Sequence, residues 1–204
     1  MRSSSLLWLL PLFLFLSACS DTPKTSEVKP PPKVLEALTG RQAFQQMYPQ
    51  ARGWAPDAQP LQITSLNLAQ VKADNGKAGV WQVIFVSPSL GKAKSYTWSA
   101  VESEGNLHQG VFGGPQEDYT PRGDSSPFQI AAIKVDSDEA YKTAVENSAD
   151  YIKKNPDKPV LFLMELGTRF PDVTWRVVWG NSVGTSDYSV FVDGSTGKFL
   201  ERMH

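Results

Sequence analysis

Trp175-Arg176-Val177-Val178-Trp179, a polar turn, then Tyr188-Ser189-Val190-Phe191-Val192-Asp193-Gly194-Ser195-Thr196-Gly197-Lys198-Phe199-Leu200: the fold is read outward from this stretch. Its apolar residues alternate with period two, the pattern of strands that cover one face. Trp175, Val177 and Trp179 share one side of their strand, and Tyr188, Val190 and Val192 share one side of the next. The turn between the last two strands has its own chemistry. Asp193 can accept backbone N–H groups of the turn, and Gly197 can take positive φ. Successive strands with short polar turns make an antiparallel meander.

Upstream lies an extended apolar run, Val160 to Leu166, and before it a helical pattern. Ala140, Tyr141, Ala144, Val145, Ala149 and Ile152 recur on one helix face behind the cap pattern Asp136-x-x-Glu139. Asn155-Pro156 ends that helix, because proline cannot continue it. The same order occurs nearer the amino end. Ala43, Phe44, Met47 and Tyr48 form a helical face behind Thr39-x-x-Gln42, and an extended run follows from Leu61 to Leu68. Next come a Trp-led strand (Trp81 to Val86), a Tyr-led strand (Tyr96 to Val101), a turn at Gly105 and a last strand holding Leu107. These correspondences predict an α+β fold of two similar units, each one helix packed on an antiparallel sheet of about four strands. The second face of each sheet carries Ile84, Val178 and Phe191 among polar residues. The two units are therefore expected to cover each other partly on that face.

The closing stretch resembles the PepSY domain family: a Trp-led strand, a Tyr-led strand, an Asp-x-x-Thr-Gly turn at Asp193–Gly197 and a short apolar strand. The match covers about 65 residues of the second half. The first half is a degraded relative, with Glu102-Ser103-Glu104-Gly105 where the turn stands. The resemblance implies a binding module without catalysis, of the kind found in secreted peptidase propeptides and envelope proteins, with peptidases as partners.

The amino end addresses the chain. Met1-Arg2 is a short positive start, and Leu6 to Leu16 is a nearly unbroken apolar run too short to span a bilayer as a helix. Leu16-Ser17-Ala18-Cys19 follows, and it resembles the lipobox of bacterial lipoproteins. The resemblance implies cleavage before Cys19, a diacylglycerol on its thiol and an acylated new amino end. Three acyl chains exceed the two lipid signals that stable anchoring needs. The expected location is the cell envelope, lipid-anchored, with the outer membrane facing the periplasm favoured by Ser20. Ser20 to Lys33, with the triplet Pro30-Pro31-Pro32, reads as a tether. In polyproline II, at about 3.1 Å per residue, it reaches at most ~43 Å. The expected organisation is a signal at 1–18, the lipidated cysteine and tether at 19–33, a first unit at 34–114, a Gly/Pro/Ser-rich connector at 115–127 and a second unit at 128–204.

Composition narrows the function. The chain of 204 residues has 20 Lys+Arg against 21 Asp+Glu, a net charge of −1, which gives no basic field for nucleic acid. It holds 1 Cys and 2 His, too few for a cysteine metal cluster or an intramolecular disulfide. No phosphate-binding glycine motif and no nucleophile elbow occurs. No cofactor, metal or catalytic residue is assigned. His108 with Glu102 reads as a solvated hairpin, Glu165 as an acid facing outward or paired with Arg169 or Arg176, and Arg122-Gly123-Asp124 as a turn. Trp54, Trp98 and Trp179 are the candidate binding aromatics. Three functions are consistent with this reading. The first is an interaction module for an envelope protein, peptide or peptidase. The second is a binder of a small ligand or glycan in a cleft between the units, which requires a sizeable aromatic-lined cavity. The third is a hydrolase with a pair of buried acids in a pocket.

Overall fold

The computed structural model describes residues 35–102, 107–121 and 123–204. The signal, Cys19, the tether, the turn at Gly105 and Arg122 lie outside the described residues. The elements are β1 (Leu38–Thr39), α1 (Gly40–Trp54), β2 (Gln59–Leu66), β3 (Lys77–Ala78), β4 (Val80–Ser87), β5 (Lys92–Ser99) and β6 (Gly110–Asp118). There follow β7 (Ser125–Ser126), a 3-10 turn at Ile130–Ala132, α2 (Ser137–Glu146), α3 (Ala149–Lys154), β8 (Val160–Gly167), β9 (Thr174–Trp179), β10 (Tyr188–Asp193) and β11 (Phe199–Met203). The architecture is α+β. One large antiparallel sheet runs in the order β11-β10-β9-β8-β2-β4-β5-β6, with β7 paired to β8.

The strand alternation read in the sequence sets the core. Trp81, Val83 and Phe85 of β4 and Trp175, Val177 and Trp179 of β9 are all buried, in one cluster with Ala43, Phe44 and Met47 of α1 and Ala140 and Ala144 of α2. Each large side chain sealed in this way contributes about 1.5–3 kcal/mol of transfer free energy. Helix α1 starts with both bonds of a capping box. The Gln42 N–H donates to Thr39 Oγ1 at 3.3 Å, and the Thr39 N–H donates to Gln42 Oε1 at 3.1 Å. The turn after β10 is built as its residues require. Asp193 Oδ1 accepts from the N–H groups of Ser195 (2.9 Å) and Thr196 (2.7 Å), and Gly197 has φ +72°. Burial opposes the Asp193 charge, but those donors outweigh it and hold its pKa below the ordinary carboxylate value.

Three expectations need correction. The halves do not cover each other face to face; they join edge to edge. Strand β2 pairs with β8 through Gln62–Glu165, Ile63–Met164 and Thr64–Leu163, so one ladder continues across the middle of the sheet. Pairing satisfies the open backbone edge of both halves at once, which stacking two faces would leave unpaired. The helical pattern after Asp136 is not one helix. It breaks at Asn147–Ser148, where Asn147 donates from both its backbone and its side chain to Thr143 O (3.3 and 2.9 Å). An amide that takes the carbonyl of its own last turn offers the backbone an alternative to continuing. The last strand of the first half lies beyond Leu107, as β6, and ends at Asp118, inside the stretch read as connector. Pro115 is tolerated there because β6 is an edge strand.

The seam between the halves is densely bonded on the helix side. Trp81 and Trp175 meet edge to face, with ring centroids 6.3 Å apart. The Trp81 indole N–H donates to Leu38 O (2.8 Å), and the Trp175 indole N–H donates to Val135 O (3.0 Å). Buried Asp136 joins the two helix starts. Its carboxylate accepts from Thr39 Oγ1 (2.6 Å), from the Arg41 N–H (2.9 Å) and from the Ser137 N–H (2.7 Å). Ser137 Oγ in turn accepts from the Gly40 N–H at 2.8 Å.

Candidate functional site

The seam is open at one end of the sheet. Past β2 the chain swings out through Asn67–Ala73, a loop pinched by the Leu68–Val71 bridge, with the Val71 N–H donating to Leu68 O at 3.3 Å. Facing this loop, Asn155-Pro156 stops α3, and Pro156 to Pro159 lead the chain into β8. The two walls, one from each half, enclose a cavity of about 670 Å³. A smaller cavity of about 200 Å³ adjoins it and shares Lys158, Pro159, Trp179 and Asn181 with it. The larger is of the size that binds small ligands.

The lining combines a rigid apolar base with a polar rim. Trp179, at the end of β9, packs against Tyr151 (6.4 Å) and Tyr188 (5.5 Å), and the Tyr188 hydroxyl donates to Ser148 Oγ at 2.9 Å. Tyr141 of α2 sits edge to face against Phe162, and burial, followed by the Asp74 charge, raises its pKa. Leu68, Ile152 and Val160 complete the apolar part. On the rim, Asn155 Nδ2 donates to Tyr151 O (3.0 Å), which leaves its Oδ1 as an acceptor. Lys158 Nζ donates to Asp187 Oδ2 at 3.1 Å. The Tyr151 hydroxyl and then Asp187 hold the Lys158 pKa above its ordinary value. Among the described residues, the side chains of Asn67, Lys72 and Asn181 have no hydrogen-bond partner, and all three are exposed. They are polar groups with unused capacity around a fixed aromatic base.

The three candidate tryptophans fall in three places. Trp179 reaches the cleft, although only 2% of it is exposed. Trp98 lies across from Trp81 in the β4–β5 ladder and is buried in the core. Trp54 closes α1 far from the cleft, and its indole N–H donates to Gln116 Oε1 on β6 at 3.1 Å. Sequence reasoning missed Asn67, Lys72, Tyr141, Asn155 and Asn181. They come from four separate segments, so no local spacing links them. Only the helix stop at Asn155-Pro156 signalled that one wall would end there.

The acids singled out in the sequence lie elsewhere. Glu165 lies on the sheet face away from the helices, where Oε2 accepts from Ser125 Oγ (2.6 Å) and Gln62 Nε2 (3.2 Å). Its expected arginine partners are bonded to other groups. Arg169 donates through Nε and Nη2 to Glu201, and Arg176 donates to Ser189 Oγ at 3.0 Å. Burial lowers the Arg176 pKa; Glu165 acts against that shift and Arg169 adds to it. His108 Nδ1 lies 2.9 Å from Glu102 Oε1 on an exposed hairpin. Among the described residues, no group of three or more His, Cys, Asp or Glu is placed to hold a metal ion, and no helix is long and apolar enough to cross a membrane.

No protein-family model matches the chain, and no curated protein matches it. Among solved structures it is similar to a candidate lipoprotein from Clostridium difficile 630. That likeness has a TM-score of 0.45 at 9% identity and covers 76% of this chain and 88% of the other.

Proposed function

We propose that this chain is a lipid-anchored, non-catalytic binding protein of the cell envelope, made of a duplicated α+β unit, with its ligand site in the cleft between the halves. The cleft carries the proposal: about 670 Å³ walled by both halves, with a fixed aromatic base and a rim of uncommitted amides and one ammonium. Duplication is supported by matched contacts. Trp81 and Trp175 occupy corresponding positions, touch, and donate to Leu38 O and Val135 O, each one residue before a helix cap. Anchoring is supported by the lipobox-like Leu16-Ser17-Ala18-Cys19, and Ser20 fits the outer membrane. The cleft reading is tested by amide NMR of the full chain in a detergent without sugar groups, titrated with small peptides, sugars and nucleosides. Shifts confined to Asn67, Asn181 and the Trp179 indole support it, and a panel that moves none of them defeats it.

A second reading, an interaction module for an envelope protein or peptidase, is favoured by β6 and by the PepSY resemblance. Among the described residues β6 pairs only with β5, and Phe112 on it is 42% exposed. Such an edge can take an added strand. Cross-linking of an extended peptide to residues 110–114 supports this reading, and protection of the cleft residues alone defeats it.

A further inference from the structure

We infer that the cleft takes an N-acetylated disaccharide bearing at most one carboxylate. This rests on the cleft being the binding site, and it names the class of ligand. Four features of the cleft lead to it.

The first is charge. The charged groups on the larger cavity are Lys72, Lys158 and Asp157, and Lys158 is committed to Asp187. One free ammonium beside one carboxylate suits a neutral or singly acidic ligand. Phosphate-rich ligands are held by several cations, and these walls carry one uncommitted ammonium. The second is polarity. An acyl chain filling the cleft would strip water from Asn67, Lys72 and Asn181 without replacing their hydrogen bonds, at a cost. A sugar, with hydroxyls around its edge, pairs with them instead. Each free carboxamide presents two N–H donors and an acceptor, which matches adjacent hydroxyls.

The third is backbone. At the cleft, β2 has already parted from β8, which it pairs only from Leu163 to Glu165, and the Phe162 N–H is held by Ser65 Oγ; the open edge is Val160–Leu161, too short for the ladder of an added strand. An extended peptide therefore cannot add a strand here, unlike at β6. The fourth is the mixture on one wall. Ile152 and Val160 line the same wall as Asn155, one of whose two side-chain N–H groups is spent on Tyr151 O. An acetamido group supplies both complements, a methyl for the apolar wall and an N–H for Asn155 Oδ1. Two pyranose rings fit within 670 Å³, and Lys72 remains for a single carboxylate.

The test uses the full chain in a sugar-free detergent. N,N′-diacetylchitobiose and cellobiose share a ring skeleton and differ in their acetamido groups, and N-acetylmuramic acid adds a carboxylate to N-acetylglucosamine. Titration calorimetry is expected to show chitobiose binding and cellobiose at least about tenfold weaker, since a site built for a polar group is left unpaired without it. N-Acetylmuramic acid should bind more tightly than N-acetylglucosamine, and Lys72→Met should erase that difference alone. Asn67→Ala and Asn181→Ala, both at exposed positions, should weaken chitobiose by about tenfold each with the melting temperature unchanged. Equal binding of chitobiose and cellobiose overturns the assignment, as does no binding of any sugar. If amide NMR then shows another probe moving Asn67 and Asn181, only the sugar assignment is lost. If no probe moves them, the cleft reading falls with it.

Discussion

On the helix-covered side of the seam, Trp81, Trp175 and Gly40 are closely packed, and Asp136 is bonded to three donors. At the open end of the same seam, Asn67, Lys72 and Asn181 surround empty space with their capacity unspent. Both regions are assembled from the same two halves. The difference separates their tasks. Filled contact fixes how the halves sit, and only then can two walls from distant parts of the chain hold a cleft of constant shape. Substitutions on the filled side should cost stability, and those on the open side should leave it unchanged.

The largest effect is expected from Trp175→Ala. It removes a fully buried indole and should destabilise by about 3–5 kcal/mol, read from the denaturant midpoint. A loss below about 1 kcal/mol would mean that the seam relaxes freely, and the contrast would collapse. Asp136→Ala strands the Thr39 hydroxyl and the Arg41 and Ser137 N–H groups, for an expected loss of about 2–4 kcal/mol; Asp136→Asn, which keeps acceptor oxygen, should lose less. Gly40→Ala sharpens the claim of tight packing. Its new Cβ would lie 2.6 Å from Trp175 Cη2, so the ring must shift, at about 1–3 kcal/mol.

Asp57 supplies a half-buried carboxylate for comparison with Asp136. The Ser87 hydroxyl (2.6 Å) and the Ser89 N–H (2.8 Å) bond it and lower its pKa to about 2. A depressed carboxylate stabilises above its ordinary pKa and loses that contribution as pH falls through the folded value. The melting temperature of Asp57→Asn should therefore fall below that of the parent at pH 6 and converge with it near pH 2. A difference that persists at pH 2 would assign the loss to shape rather than charge. The smallest effect is expected on the open side. Lys72→Met should change stability by less than about 0.5 kcal/mol, and a larger change in the denaturation curve would make Lys72 part of the frame.

Local chemistry was legible. Thr39-x-x-Gln42 formed its capping box, and Asp193–Gly197 formed its turn, because both are complete within five residues. Side-chain parity in β4, β9 and β10 was legible because period two is a local property. What sequence alone obscured depends on distant partners or on competition. Gly113-Gly114-Pro115 has loop composition and becomes strand because β5 offers a ladder and the outer edge does not need proline's missing donor. Asn147 fits within a helical face, but its amide captures Thr143 O and ends the helix. Arg52-Gly53-Trp54-Ala55-Pro56 reads as a loop, yet Trp54 closes α1, and only tertiary placement puts Trp54 against an edge strand, Trp98 in the core and Trp179 at the cleft. The rim of the cleft has no local signature, since Asn67 and Asn181 meet only after β2 has found β8.

That central ladder has a consequence for how the chain acquires its shape. The β4–β5 and β10–β11 hairpins close over short turns, whereas β2 meets β8 across a long separation: Ser65 Oγ accepts from the Phe162 N–H 97 residues away. Non-local pairing is the slow part of folding. As the chain is threaded amino end first, β2 is complete while β8 is still to come, and it waits as an unpaired edge. A β8 from a second copy fits that edge as well as its own does. Crowded refolding should therefore yield dimers that have exchanged their second halves across the seam, and dilution during refolding should suppress them.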